Sequence, residues 1–461
     1  MIQQQRLTSN AFGELGLEAK PQQFTLINGV PGTAKSVTTE SKVEKYHKDG
    51  YLIINLLEVK DKFETCFPMF KPQAEWHKFF LKEFDIEPKE KKVKIYHPFT
   101  FSIPHKRLPD INFFTFPIKS LNREDISLLL EAHSDTESVK LILNILNELP
   151  DDYGFYEFLF ELRKVVERST KINKQETSNN SFGFDIPPKS SATNLGEIYG
   201  SLKAFENNFM LSNSKNELNL NVKKIFEDQE SYHTLVTKWI GRSFKDNTGK
   251  EVIPDNKLKY FAIQKFFRTI INNIDKCDYP ICFVVEELRK FTPKERFADN
   301  YQNFVAKTLS DEFNIMRNKN CVIVANTQSL FDVNDSVLSA FNMQYIMQTK
   351  AKNDESILQK AYGMSSRLTA EIGSLNKGEF KVNDERNWNY TFVAIPPSHG
   401  HKEPHDDFFK LYNQFYPEKL KIYKEIITTM KDNAKLSKEH SEELWKEFKV
   451  KIEQLKPKKY K

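Results

Sequence analysis

Apolar runs of strand length recur along this chain, separated by stretches with helical periodicity, the alternation expected of an α/β fold. The first run is Phe24-Thr-Leu-Ile-Asn28, which breaks at Gly29 and restarts as a helix at Lys35. That helix reads to Tyr46 and is ended by Asp49-Gly50. Tyr51–Leu57 then follows as a continuous apolar run. Strand, crossover helix and strand make a βαβ unit, so the sheet is expected to be parallel. Further strands are expected at Val93–Tyr96, Ile111–Phe116, Ile281–Val285, Cys321–Ala325 and Tyr390–Ile395. Helices are expected at Ile126–Leu130, Val139–Leu149, Phe155–Val166, Leu258–Ile274 and Phe304–Met316.

Two regions break this alternation. Ser169–Asn194 is rich in Ser, Asn, Thr and Lys, contains Pro187-Pro188, and reads as an exposed loop or linker. From Glu418 to Lys461 the pattern is helical and lysine-rich, with 13 lysines against 8 acids. The excess of +5 in this tail equals the net charge of the whole 461-residue chain. A balance that mild does not by itself argue for nucleic acid.

Composition adds that the chain can bury a core: 39% of residues are apolar, and Phe (38) and Tyr (17) supply much of the material. The four cysteines, Cys66, Cys277, Cys282 and Cys321, show neither a disulfide framework nor zinc spacing. No apolar run approaches the ~20 residues of a membrane span, so a cytoplasmic protein without membrane insertion is expected.

The chemistry gathers at the breaks in the apolar pattern. Gly29-Val30-Pro31-Gly32-Thr33-Ala34-Lys35-Ser36, followed by Val37, sits between a strand and a helix start. A turn there presents successive backbone N–H groups to an anion, and the helix N-terminus adds partial positive charge. Lys35 is placed to reach β- and γ-phosphates of ATP, and the Ser36 hydroxyl to hold Mg²⁺. Ala34 stands where the last glycine of G-x-x-x-x-G-K-[ST] is expected, so a methyl intrudes on a crowded turn.

Val284-Val285-Glu286-Glu287 closes an apolar strand with two carboxylates, where an ATPase needs one acid near Mg²⁺ and one beside the attacking water. Strand alternation points the pair to opposite sides, so a turn at the strand end is needed for both to serve one site. Asn326-Thr327-Gln328-Ser329 follows another strand, and Gln328 there is positioned to sense the γ-phosphate or the water. Arg317 lies at a helix end before that strand, where it reads either as a solvated charge favoured by the helix dipole or as an arginine finger. The His399, His401 and His405 cluster lacks cysteines and regular spacing, and reads as a polar loop rather than a metal site.

Taken together, Gly29–Ser36, Val284–Pro293, Arg317 before Val322–Ser329, Leu375-Asn-Lys-Gly-Glu-Phe380 and Pro396-Pro397 resemble the HerA/FtsK superfamily of P-loop ATPases over roughly residues 24–400. The paired glutamates followed by Phe291 and Pro293 are more HerA-like than FtsK-like, although the N-terminal β-barrel of cellular HerA proteins is missing. The resemblance implies a RecA-like core, a mostly parallel sheet flanked by helices, with the catalytic glutamate on a strand next to the P-loop strand. It also implies a ring, usually a hexamer, and ATP-driven movement of DNA gripped through its backbone without sequence preference.

Carried over by position, Lys35 and Ser36 are the Walker A pair, Glu286 the metal-side acid and Glu287 the catalytic acid. Gln328 matches the polar sensor, and Arg317 the arginine that reaches a neighbouring subunit's nucleotide. The expected layout is the first part of the ATPase core at 1–150, a helical insertion and polar loop at 151–225, the second part of the core at 226–400, and a basic helical tail at 401–461. A P-loop ATPase that remodels or recruits proteins, and a weakly hydrolysing nucleotide-binding subunit, are the alternatives.

Overall fold

A computed structural model describes residues 6–8, 23–57, 75–83, 86–89, 91–98, 111–130, 136–172, 196, 198–200, 202, 210–236, 244–245, 251–252, 256–295, 300–383, 391–393 and 397–398. The lysine-rich tail, the His399–His405 cluster, Cys66 and most of Ser169–Asn194 lie outside the described residues. The chain divides into two units, one of residues 1–95, 222–237 and 263–403, the other of 96–221, 238–262 and 404–461.

The first unit is organised by a sheet. The strands of this sheet that fall in the unit in whole or in part are β1 (Arg6–Thr8), β2 (Phe24–Asn28), β3 (Leu52–Leu57), β4 (Lys92–Pro98), β5 (Ser231–Val236), β6 (Ile281–Val285), β7 (Cys321–Thr327), β8 (Met343–Met347), β9 (Glu379–Asn383) and β10 (Thr391–Val393). They lie in the order β1-β10-β9-β8-β2-β7-β6-β3-β5-β4. The pairings from β8 through β5 are all parallel, and β9 is antiparallel to both β8 and β10. Strands covered on both faces need apolar side chains on both, which is why β2, β6 and β7 read as unbroken buried runs. With the helix α1 (Lys35–Lys48) following β2, this core has the RecA-like P-loop NTPase fold.

The strand order corrects one expectation. The glutamate strand β6 is not next to the P-loop strand β2: β7 lies between them, paired in parallel with both. Besides the short strand β1, three strands, β5, β8 and β9, have no counterpart in the apolar pattern. Each carries polar residues that find partners only in the folded chain. Thr234 of β5 accepts from Asn55 Nδ2 at 3.1 Å, His233 meets the Asp228 carbonyl at 2.7 Å, and Gln344 of β8 donates to the Phe341 carbonyl at 2.7 Å. A buried polar group so satisfied costs little, and hydropathy alone does not register it.

Phenylalanine fills the space between this sheet and the helices α2 (Asn256–Ile271) and α3 (Asn300–Met316). Phe313 meets Phe24, Phe267 and Phe341 edge-on with centroids 6.0–6.3 Å apart, and Phe267 lies 4.9 Å from Phe283. Such pairs add about 0.5–1.5 kcal/mol each beyond the area they bury. Cys282 and Cys321 are buried in central strands, and burial pushes the Cys321 thiol up to about 12.

The second unit contains the helices Arg123–Leu130, Glu137–Glu148 and Phe155–Ile172. The middle one is capped by Thr136, whose side chain accepts from the Val139 N–H. Among the described residues no helix is long and apolar enough to cross a membrane.

Candidate functional site: a P-loop tied to a glutamate and a glutamine

The turn after β2 is built by conformations few residues accept. Gly32 has φ 87°, and at Gly29 a Cβ would stand 2.7 Å from Met347 Cβ and 2.8 Å from Thr33 Oγ1, so only glycine fits there. The loop is stitched to the carboxyl ends of both neighbouring strands. Gly29 N–H donates to the Thr327 carbonyl at 3.4 Å, and Val30 N–H to the Gln348 carbonyl at 3.0 Å. Gly378, from the Leu375–Phe380 segment, donates its N–H to the Thr33 carbonyl at 3.1 Å. Inside the loop, Thr33 Oγ1 and Lys35 Nζ both donate to the Val30 carbonyl, at 2.8 and 3.0 Å.

Ala34 occupies the N-cap position of α1 in the left-handed region, φ 73° and ψ 26°. No side chain caps the helix and no acid stands in its first turn. An uncapped helix start beside a loop of this shape has an anion as its natural complement. The donor set fits Mg-nucleotide: Lys35 for phosphate oxygens, and the exposed Ser36 hydroxyl and half-buried Glu286 carboxylate as hard oxygen ligands for Mg²⁺. The alanine methyl is nonetheless strained where glycine is at ease. Ala34→Gly is expected to raise unfolding stability by about 1 kcal/mol without weakening nucleotide binding, as read by denaturant titration.

The glutamate pair is separated by a turn, as its placement requires. Glu286 N–H still pairs with the Leu56 carbonyl at 3.3 Å, while Glu287 leaves the strand in the left-handed region, φ 54° and ψ 51°. A non-glycine residue held there costs about 1–3 kcal/mol, and such strain gathers at functional sites. The conformation is held by Asn326 at the end of β7, whose Oδ1 accepts the Glu287 N–H at 3.0 Å. Asn326 Nδ2 donates onward to Thr39 Oγ1 at 3.2 Å, and Thr39 Oγ1 donates to the Lys35 carbonyl at 2.9 Å. Buried side chains thus connect the first turn of α1 to the backbone of Glu287.

On the other side, Gln328 Nε2 donates to Glu287 Oε1 at 2.6 Å. Asp354 braces the loop beyond Gln328, accepting from Ser329 Oγ at 3.1 Å and Phe331 N–H at 3.0 Å. Burial raises its carboxyl above the usual carboxylate range.

The structure therefore brings Lys35, Glu287 and Gln328 into one hydrogen-bonded assembly at the carboxyl ends of β2, β6 and β7. Arg317 is not part of it. It precedes β7 at the amino edge of the sheet, and its Nη2 donates to the Ser339 and Ala340 carbonyls at 3.0 and 2.7 Å. Thr39, Asn326 and Arg289 were not singled out from the sequence. The available signals were weak: a polar residue at a strand end, and an arginine two residues after a carboxylate pair.

No family profile matches the chain, and no curated protein matches it. Among solved structures it is similar to VirB4 of Thermoanaerobacter pseudethanolicus, at 13% identity over 84% of this chain and 90% of that one, with a TM-score of 0.45. The bacterial conjugative coupling protein TrwBdeltaN70 aligns at 11% identity, 87% and 95% coverage, and a TM-score of 0.48. The DNA-packaging ATPase B204 of Sulfolobus turreted icosahedral virus aligns at 11% identity, 84% and 99% coverage, and a TM-score of 0.31.

Proposed function

We propose that this chain is an ATP-hydrolysing DNA translocase of the HerA/FtsK type, acting as a ring-shaped oligomer. The observation that carries the ATPase part is the hydrogen-bonded assembly joining the P-loop helix to Glu287 and Gln328. Lys35 binds the β- and γ-phosphates, and Ser36 with Glu286 would hold Mg²⁺. When bound there, the metal would help neutralise the charge that develops on the γ-phosphoryl group. Glu287 orients the attacking water and takes its proton as the water oxygen bonds to the γ-phosphorus, leaving ADP and phosphate. Gln328, bonded to Glu287, orients the same water from the other side. Arg317 lies at the amino edge of its own sheet, so a role for it as an arginine finger is a role in a neighbouring subunit's site.

The DNA part rests on the motif resemblance, and more weakly on the lysine excess after Glu418. Lysines that grip phosphates release counterions, so binding should fall steeply with salt and be indifferent to sequence. The test is the ATPase rate of the full chain with and without duplex DNA, across a salt series. Stimulation that fades as salt rises is the expected result. Hydrolysis that ignores DNA favours a protein-remodelling ATPase. Nucleotide binding without turnover favours a nucleotide-binding subunit.

A further inference from the structure

Arg289 follows Glu287 by two residues, in the short helical turn Leu288–Phe291. Its half-buried guanidinium reaches three side chains. Nη2 donates to Gln328 Oε1 at 2.8 Å, Nη1 donates to Asp332 Oδ2 at 3.4 Å, and Nε stands 3.7 Å from Glu287 Oε2. Gln328 then donates its Nε2 to Glu287 Oε1 at 2.6 Å. The three groups close a ring of contacts in which the two ends of the glutamine amide have different partners.

That difference has a direction. An arginine offers only donors, a carboxylate only acceptors, and an amide one end of each kind. With Arg289 on the Oε1 side, the NH₂ of Gln328 must face Glu287. A flipped amide would set NH₂ against guanidinium and carbonyl against carboxylate, and both bonds would be lost. Asp332 steadies the outer arm of the guanidinium, and it sits in the loop that Asp354 braces through Ser329 and Phe331.

We propose that Arg289 is the positioning residue of this site: its guanidinium fixes which way the Gln328 amide faces and holds the Glu287 carboxylate toward it. The proposal rests on the reading of Glu287 as the group that takes the proton from water. Arg289 itself touches no reacting atom. A lysine keeps the charge but loses the planar fork that orients the amide, so the two contributions of Arg289 can be separated.

The experiment compares kcat at saturating Mg-ATP for the full-length wild type, Arg289→Ala, Arg289→Lys, Gln328→Ala and the double variant Arg289→Ala/Gln328→Ala, with affinity for a non-hydrolysable ATP analogue measured alongside. Arg289→Ala should retain analogue affinity and lose roughly 10- to 100-fold in kcat, the scale of a misplaced reacting group. Arg289→Lys should lose kcat as well, because the ammonium keeps the charge without the fork. With Gln328 already replaced by alanine, the same Arg289→Ala change should cost no more than roughly 3-fold, because residues that act through one contact are not additive.

A residue that only braced the fold would lower kcat by the same factor whether or not Gln328 is present. An unchanged kcat in Arg289→Ala, or losses that multiply independently in the double variant, overturns the proposal. If Arg289→Ala fails to bind the analogue, Arg289→Lys decides: lowered kcat with retained affinity supports the assignment, and wild-type kcat overturns it. Wild-type protein without Lys35-dependent hydrolysis overturns the ATPase reading as a whole. Failure confined to the Arg289 variants overturns the positioning role alone.

Discussion

Lys35→Ala is expected to remove most Mg-ATP binding and hydrolysis while leaving the protein folded. Its ammonium lies within the loop, 3.0 Å from the Val30 carbonyl, beside a helix start that no side chain caps. A phosphate there would gain a charge-assisted bond, and such bonds contribute roughly 1.5–3 kcal/mol, so affinity should fall about 10- to 100-fold. The rate should fall further, by about 10²–10³, because the γ-phosphoryl oxygens need compensation most as the bond to the leaving group breaks. The folded state loses one hydrogen bond to a carbonyl, about 1 kcal/mol. Calorimetric titration with a nucleotide analogue, a steady-state rate and an unfolding curve separate these effects. Unchanged affinity in a folded variant would place the nucleotide somewhere other than this loop.

Glu287→Gln should have the opposite signature, with nucleotide held but not turned over. The amide keeps the shape and can still accept from Gln328 Nε2 through its own carbonyl oxygen, so the contact at 2.6 Å survives. The backbone at φ 54° and its bond to Asn326 are also unaffected by the change. What is lost is the base, and general-base assistance is typically worth about 10²–10⁴ in rate. A single-turnover assay should show bound ATP persisting with analogue affinity near that of the wild type. The neighbouring Glu286→Gln is the contrast, since its expected defect is a raised Mg²⁺ requirement rather than a stalled complex. Near-normal turnover in Glu287→Gln would move the catalytic acid elsewhere.

Much of the core is local in origin, and was legible for that reason. The run Phe24–Asn28, the turn at Gly29–Ala34 and the helix from Lys35 follow from adjacent residues: apolar side chains, glycines where the backbone must bend, and a helix-forming stretch after them. Ile281–Val285 and Cys321–Ala325 were likewise visible as apolar runs, with Glu286, Glu287 and Gln328 just beyond their ends. The need for a turn between the two glutamates followed from strand alternation alone, and the left-handed backbone of Glu287 supplies it.

What the sequence left undecided depends on which distant strands pair. An apolar run carries no label for its neighbour, and parallel strands joined by long crossovers can be ordered in several ways. Only the folded sheet put β7 between β2 and β6, which brings Asn326 against the Glu287 N–H and Thr39, 39 and 287 residues away along the chain. The same pairing set Gln328 between Glu287 and Arg289, and left Arg317 at the opposite edge with two backbone carbonyls. Residue type and local pattern determined the phosphate loop and the acids; the tertiary structure decided their partners, because a hydrogen bond a few ångströms long between residues far apart in the chain exists only once the strands carrying them are in register.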